Sequence, residues 1–436
     1  MKKKLLFLMA AFALFVPSVL AAEEPTYDES TKALFANGTP VTIEDRTDGI
    51  AGALVKWNGG EKLLTADNSV FGGSHDSATK LDSTSITMNG GTLNNIFGGG
   101  LHKSYVGTST VVINGGTIKG GVQGGGASSY AKTTCHRPWY DGDRANAPTV
   151  VDNAIVTING GKFYNVYGGG EGISYTKNVI LVINDGEIAY LTNGGSNGFT
   201  DNGKLEVNGG TIGVMQSVNR GDTKATETTV NGGAIKNLYA GGEDDSTVNG
   251  TISKVVLYVL GGNVDKLYTG KAGKHIATEN DDFTVVYNEE VVKNVSLDGI
   301  KEENVNTTVT LTFENGDNGE SVVIPKGTTL TKEEIQELID ELNETLKDSN
   351  MKFVGFFKDS KFTTAFDFTK PINEDTIVFI KLEEVKNNTE TKNDSKSEEK
   401  NPKTSDMNLA LILASLGLAS TGAVLVSRKK LAKTNR

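Results

Sequence analysis

The chain has little of what cofactor-dependent and nucleic-acid-binding proteins usually carry. It holds one cysteine in 436 residues, Cys135, so no intramolecular disulfide can form. Its four histidines are too few and too scattered to suggest a metal enzyme. Positive charge is in deficit: 43 Lys and Arg against 54 Asp and Glu leave a formal net charge of -11, which argues against a nucleic-acid partner. No G-x-x-x-x-G-K-[ST] run occurs, and no amphipathic helical pattern follows the glycine-rich stretch INGGTIKGGVQGGG, Ile113 to Gly126. A phosphate loop needs both, so no nucleotide site is indicated. Nothing in the sequence calls for a cofactor.

Glycine is what the chain has in excess. Of 52 glycines, 39 fall between Gly72 and Gly270. They are organised around asparagines that precede Gly-Gly or a close variant: Asn58, Asn89, Asn114, Asn159, Asn184, Asn208 and Asn231. Most steps between them are 23 to 25 residues, and the longer steps, Asn58 to Asn89 and Asn114 to Asn159, contain inserts. A fixed step of that size is the signature of a solenoid or array. Two alternating apolar residues precede each asparagine, as in Ile86 and Met88, Val111 and Ile113, or Val156 and Ile158. A second apolar pair follows, as in Leu93 and Ile96, Phe163 and Val166, or Ile188 and Leu191. Period-2 alternation means short strands, and Asn-Gly between them means a tight turn.

One such unit cannot bury its apolar face alone, so about eight stacked units are needed to close a continuous core. The expected fold class is all-β dominated: a right-handed parallel β-helix over residues 58–275, preceded by a cap at 22–57. The seven asparagines would stack as a structural ladder, each amide bonding to its neighbours in adjacent turns. A β-sandwich also uses many short strands, but it has no need to hold asparagine at one phase.

Two candidate binding features follow. The first is an aromatic stripe, Phe97, Tyr167 and Tyr239, with Phe71 and Tyr268 at equivalent positions. Facing out, it would suit sugar rings or a partner protein; facing in, it is an ordinary core stack. The second is the insert at 131–148, where the repeat is interrupted. It carries Arg137, Trp139 and Tyr140 as possible ligand anchors and Asp141 and Asp143 as oxygen donors. Asp-Gly-Asp alone falls far short of a calcium loop, so no metal site is assigned. Glycoside cleavage would need paired carboxylates at a set separation, and Asp185, Glu187 and Glu206 are scattered. A polysaccharide lyase or glycoside hydrolase is therefore the runner-up to a binding protein, and a pure spacer is the third reading.

The ends of the chain speak to compartment. Lys2 to Lys4, the apolar run Leu5 to Val16 and a small-residue exit near Ala21 have the layout of a signal peptide over 1–21. At the other end stand Asn401, Pro402, Lys403, Thr404 and Ser405, then an apolar segment at 409–426 and a basic tail at 428–436. This three-part tail resembles a Gram-positive cell-wall sorting signal, with Asn401 and Ser405 in place of the usual Leu and Gly. The resemblance implies two partners: a sortase that cuts between Thr404 and Ser405, and peptidoglycan joined covalently through Thr404. It also implies display on the outer surface of a Gram-positive cell wall.

Between solenoid and tail the texture changes. A connecting segment at 276–306 leads to a module at 307–382, where two strands precede an amphipathic helix opened by Thr331-Lys332-Glu333-Glu334. The residues Phe353, Gly355, Phe356, Phe357, Phe366, Asp367, Phe368, Pro371, Ile372, Asp375 and Thr376 resemble the internalin B-repeat, also called the Listeria–Bacteroides repeat. That resemblance implies a small β-grasp-like α+β module of surface proteins. Residues 383–400 are charged and poor in apolar residues, the composition of a disordered spacer. Together these features predict an adhesin-like surface protein with a glycan or surface-protein ligand and no enzymatic activity.

Overall fold

The computed structural model describes residues 23–77, 79–128, 149–196, 198–218, 223–241, 252–269, 277–296, 305–316, 318–347, 350–384 and 425–427. They form two units that divide at Val305. The first unit is the solenoid.

The solenoid begins with strands β1 (Thr26–Asp28) and β2 (Ala33–Phe35), then a three-strand meander of β3 (Val41–Asp45), β4 (Gly52–Trp57) and β5 (Gly60–Thr65), then β6 (Ser69–Phe71). From there two kinds of strand alternate. Longer strands build one sheet: β7 (Lys80–Met88), β10 (Ser104–Ile113), β12 (Thr149–Ile158), β14 (Ser174–Ile183), β16 (Phe199–Val207), β18 (Thr223–Val230), β20 (Ile252–Val259) and β22 (Ala277–Tyr287). Shorter strands build the other: β8 (Thr92–Leu93), β9 (Asn95–Phe97), β11 (Thr117–Gln123), β13 (Lys162–Tyr167), β15 (Glu187–Thr192), β17 (Thr211–Gln216), β19 (Ala234–Tyr239), β21 (Asn263–Tyr268) and β23 (Val295–Ser296). We call these the long-strand and the short-strand sheet.

From β7 and β6 onward each strand pairs in parallel with the one a full turn later, as β12 does with β14 and β13 with β15. The result is a parallel β-helix of about seven turns, with β22 and β23 as a partial further turn.

The alternation read from the sequence explains the core. Ile86, Met88, Val111, Ile113, Val156 and Ile158 come from the long-strand sheet, and Leu93, Ile96, Phe163, Val166, Ile188 and Leu191 from the short-strand sheet; all belong to one buried apolar column. Each turn repeats the same inward set, so neighbouring turns bury what a single turn would leave wet.

Two uses of glycine recur. After each ladder asparagine, the turn into the short strand takes a backbone that side chains resist: Gly116 has φ +100 and Gly161 φ +113. At the opposite corner the need is space. A Cβ on Gly125 would lie 2.5 Å from the Gly170 backbone nitrogen of the next turn. Stacked corners approach too closely there for any side chain.

The expected asparagine ladder exists, with one correction. Asn114 donates from Nδ2 to Asn89 Oδ1 at 2.8 Å, Asn159 to Asn114 at 2.8 Å, Asn184 to Asn159 at 2.8 Å, Asn208 to Asn184 at 3.0 Å and Asn231 to Asn208 at 3.0 Å. Asn58 is not a rung. It sits in the tight turn between β4 and β5, which pair antiparallel. Its Asn-Gly is a hairpin turn, and the register partner of Asn89 one turn earlier is Glu44, next after the Ile43–Met88 pair.

The solenoid also reaches further than 58–275. Parallel pairing already joins β2 to β6 and β3 to β7, inside the expected cap, and it continues through β22 and β23, inside the expected connecting segment. A second ladder went unread in the sequence: Asn178 donates to Asn153 and Asn202 to Asn178, both at 3.0 Å.

The second unit contains β24 (Val305–Asn315), β25 (Asn318–Pro325), helix α1 (Lys332–Leu346), β26 (Met351–Phe357) and β27 (Thr376–Glu384). β24 pairs antiparallel with β25 and parallel with β27, and β26 pairs antiparallel with β27. The helix opens with the capping box expected from Thr331 and Glu334. Its Leu338, Leu342 and Leu346 join Phe313, Phe356, Phe368 and Ile372 in one core. Asp375 accepts from the Thr310 backbone N–H at 2.7 Å, which ties the closing strand to β24.

A short strand, β28 (Leu425–Ser427), pairs antiparallel with β25. It includes the end of the apolar segment at 409–426, whose length matches the roughly 20 residues that a membrane span needs. Among the described residues no helix is long and apolar enough to cross one.

Candidate functional site

The aromatic stripe is real, but it is not an open surface. Phe35, Phe71, Phe97, Gln123, Tyr167, Thr192, Gln216, Tyr239 and Tyr268 occupy one register column at the ends of the short strands. They lie outside the main apolar core, and the chain folds back over them. Phe35, Phe71 and Phe97 stack at centroid distances of 5.0 and 4.4 Å and form a separate buried cluster with Ala33 and Ala127. His75 stacks on Phe35 at 4.9 Å and meets His102 at 5.5 Å, so the stack is roofed.

Phe97 is 4% exposed and Tyr167 8%. Neither can meet a sugar or a partner protein without the corner opening. Tyr239 is half-buried and stacked face to face on Tyr268 at 4.5 Å. In place of an exposed stripe, Phe97 and Tyr167 are buried and Tyr239 is half-covered beside its partner Tyr268. Gln123 in the same column donates to Glu171 at 2.9 Å.

The other predicted ligand residues, Arg137, Trp139, Tyr140, Asp141 and Asp143, lie outside the described residues, as do the sorting residues Asn401, Pro402, Lys403, Thr404 and Ser405.

A different aromatic is exposed. Tyr164 stands on β13, one residue past the inward Phe163, and therefore projects from the outer face of the short-strand sheet. It is 55% exposed, and no other aromatic among the described residues falls in the exposed class. Tyr190 of the next strand packs edge to face against it, with centroids 5.5 Å apart and planes at 68°. That T-shaped contact restrains the Tyr164 ring, and a restrained ring costs less entropy to use in binding.

Tyr164 walls a shallow open groove of about 650 Å³. The groove crosses β11, β13, β15 and β17, and its lining includes Thr117, Lys119, Lys162, Glu187, Ala189 and Thr211. Ala189 and Gly213 are small where Tyr164 is large, and this leaves the depression beside the ring.

The charges of the groove are closed on one another. Lys162 and Glu187 are direct cross-strand partners in the register, and their charged groups lie 2.8 Å apart. Lys119 reaches back to Asp67 at 2.7 Å. The Lys119 ammonium beside Asp67 holds that carboxyl below its ordinary range.

The other carboxylates weighed in the sequence do not join this site. Glu206 projects from the long-strand sheet, where the Asn231 amide donates to it at 3.3 Å. Asp185 accepts from the Gly186 backbone N–H in its own turn. Among the described residues no group of three or more His, Cys, Asp or Glu is placed to hold a metal ion.

Compared with known proteins, the chain matches no family model, no curated protein and no solved structure. What the structure defines is the class: a parallel β-solenoid carrying an outward aromatic groove, joined to a small α+β unit.

Proposed function

We propose that this chain is an exported, wall-anchored surface protein whose solenoid binds a glycan in the Tyr164 groove. One observation carries the binding reading. Tyr164 is the one aromatic in the exposed class among the described residues, on a sheet whose Phe35, Phe71 and Phe97 are sealed away. An exposed ring restrained by a neighbour, beside small residues in an open groove, suits the apolar face of a sugar.

The export and anchoring part rests on the tail. Asn401 to Ser405, the apolar segment and the basic end support sortase cleavage after Thr404, with peptidoglycan as the covalent partner. In the uncut chain Leu425–Ser427 pairs with β25, and cleavage would remove it along with the rest of the tail. The second unit, with its B-repeat resemblance, fits a spacer or interaction module between solenoid and wall.

Two experiments test this. A glycan array probed with the secreted protein and with Tyr164→Ala should show binding by the first that the second loses by at least about tenfold, roughly 1.4 kcal/mol. Equal binding by both, or none by either, overturns the groove. Mass spectrometry of wall digests should find chains ending at Thr404, whereas intact tails through Arg436 overturn the anchoring.

A further inference from the structure

We infer that the groove selects an uncharged, linear glycan lying along the solenoid axis, and that Glu187 is the residue that keeps acidic glycans out. This inference rests on the glycan reading of the Tyr164 groove.

The direction follows from the strands. Thr117, Lys162, Glu187 and Thr211 are register partners on four successive strands. A ligand that touches all four runs across the strands and along the stack. Strands lie about 4.8 Å apart, so three steps span about 14 Å, the length of a short unbranched oligosaccharide.

The charge preference follows from the pairing. The groove holds two lysines, and each already faces a carboxylate: Lys162 meets Glu187 at 2.8 Å and Lys119 meets Asp67 at 2.7 Å. Two positive and two negative charges cancel, which leaves hydroxyls of Thr117 and Thr211 and the Tyr164 ring for a ligand. A uronate or other acidic sugar would have to displace Glu187 from Lys162 to gain a partner, and it would meet Glu187 as a like charge. A neutral sugar disturbs neither pair. Specificity of this kind works by repelling the wrong partner as much as by attracting the right one.

Glu187 can therefore be tested as a selectivity residue. The pair is exposed on both sides, with side-chain exposures of 65% and 65%, so breaking it should leave folding nearly unchanged. Binding of the full secreted protein and of Glu187→Gln would be measured against length-matched neutral and uronate oligosaccharides, at low and at high salt. The wild-type protein should bind the neutral series with little salt dependence, and affinity should stop rising once the chain spans the groove. Glu187→Gln frees Lys162 and should gain about tenfold for the uronate series at low salt, a gain that high salt screens away. Any change for the neutral series should be smaller than the uronate gain and independent of salt. Preferential binding of uronate chains by the wild-type protein, or no gain in Glu187→Gln, overturns the selectivity inference while the glycan reading stands. Absence of binding to either series, in both proteins, overturns both.

Discussion

Two sets of aromatic rings lie on the same sheet of this solenoid, in different turns, and they have opposite fates. Phe35, Phe71 and Phe97 stack into a sealed cluster under the folded corner that carries His75 and Leu101. Tyr164 and Tyr190 stand midway along their strands, where nothing folds back, and Tyr164 stays more than half exposed. Both sets project away from the main core, so sidedness alone does not decide exposure. The deciding factor is distance from a corner. The rings at the ends of β2, β6 and β9 are covered by the chain that turns there, and the ring in the middle of β13 is left open to solvent.

Truncating one ring from each set separates the two roles. Phe97→Ala empties a buried stack and should cost about 3–5 kcal/mol of stability, read as a large fall in the urea midpoint. Glycan binding by the folded fraction should be unchanged. A stability loss under about 1 kcal/mol would mean that the cluster is looser than its packing suggests.

The ladder between the two sheets comes next in size. Asn159→Ala removes one bond to Asn114 and one to Asn184, at about 0.5–1.5 kcal/mol each, and a double-mutant cycle with Asn184→Ala should show coupling. Additive effects would deny the ladder its cooperativity.

A smaller effect belongs to the N-terminal meander. The hydrogen bond from Arg46, with smaller help from the Ile50 backbone N–H and the Arg46 charge, holds the Asp48 carboxyl at about 2. Because folding lowers this pKa below that of the unfolded chain, its contribution is full above about pH 4 and fades as pH falls toward the folded value. An acid titration of Arg46→Met should lack that component; an identical profile would discount the pair.

The smallest effect on stability is expected for Tyr164→Ala, within about 0.5 kcal/mol, in contrast to its large effect on binding. A marked destabilisation would place Tyr164 with the structural rings and remove the distinction between the sets.

Most of the solenoid was legible because its signal is arithmetic. The inward pairs such as Val156 and Ile158 fixed the faces, and the asparagine step fixed the turn length. Asn58 misled because Asn-Gly serves two purposes. In the repeat it starts a turn within the coil, and in the meander it closes a hairpin. Only the pairing partner of the following strand tells them apart. Asn153, Asn178 and Asn202 escaped because no Gly-Gly follows them to mark their phase.

Tyr164 was missed for a related reason. The aromatics that align by spacing, Phe97, Tyr167 and Tyr239, follow the second apolar position. Tyr164 follows the first, Phe163, and strict alternation already placed it outward. What no spacing could reveal is the roof over Phe97, because it is built by a corner from which the alternation disappears. In the second unit, Thr331 and Glu334 announced the helix start correctly because a capping box is local chemistry.

The ladder of asparagines has one more property, and it is directional. Every amide from Asn114 to Asn231 donates toward the N-terminal end, and each one before Asn231 accepts from the next turn. The shorter row through Asn153, Asn178 and Asn202 points the same way. The main row stops where Leu260 replaces the next asparagine, and the buried Asn231 Oδ1 is left without a donor. A one-way file of amides is polarised along its length, since each bond strengthens the next. This row of aligned amide dipoles thus has an electrical axis of its own, with its negative pole at Asn231, much as a helix carries one along its backbone.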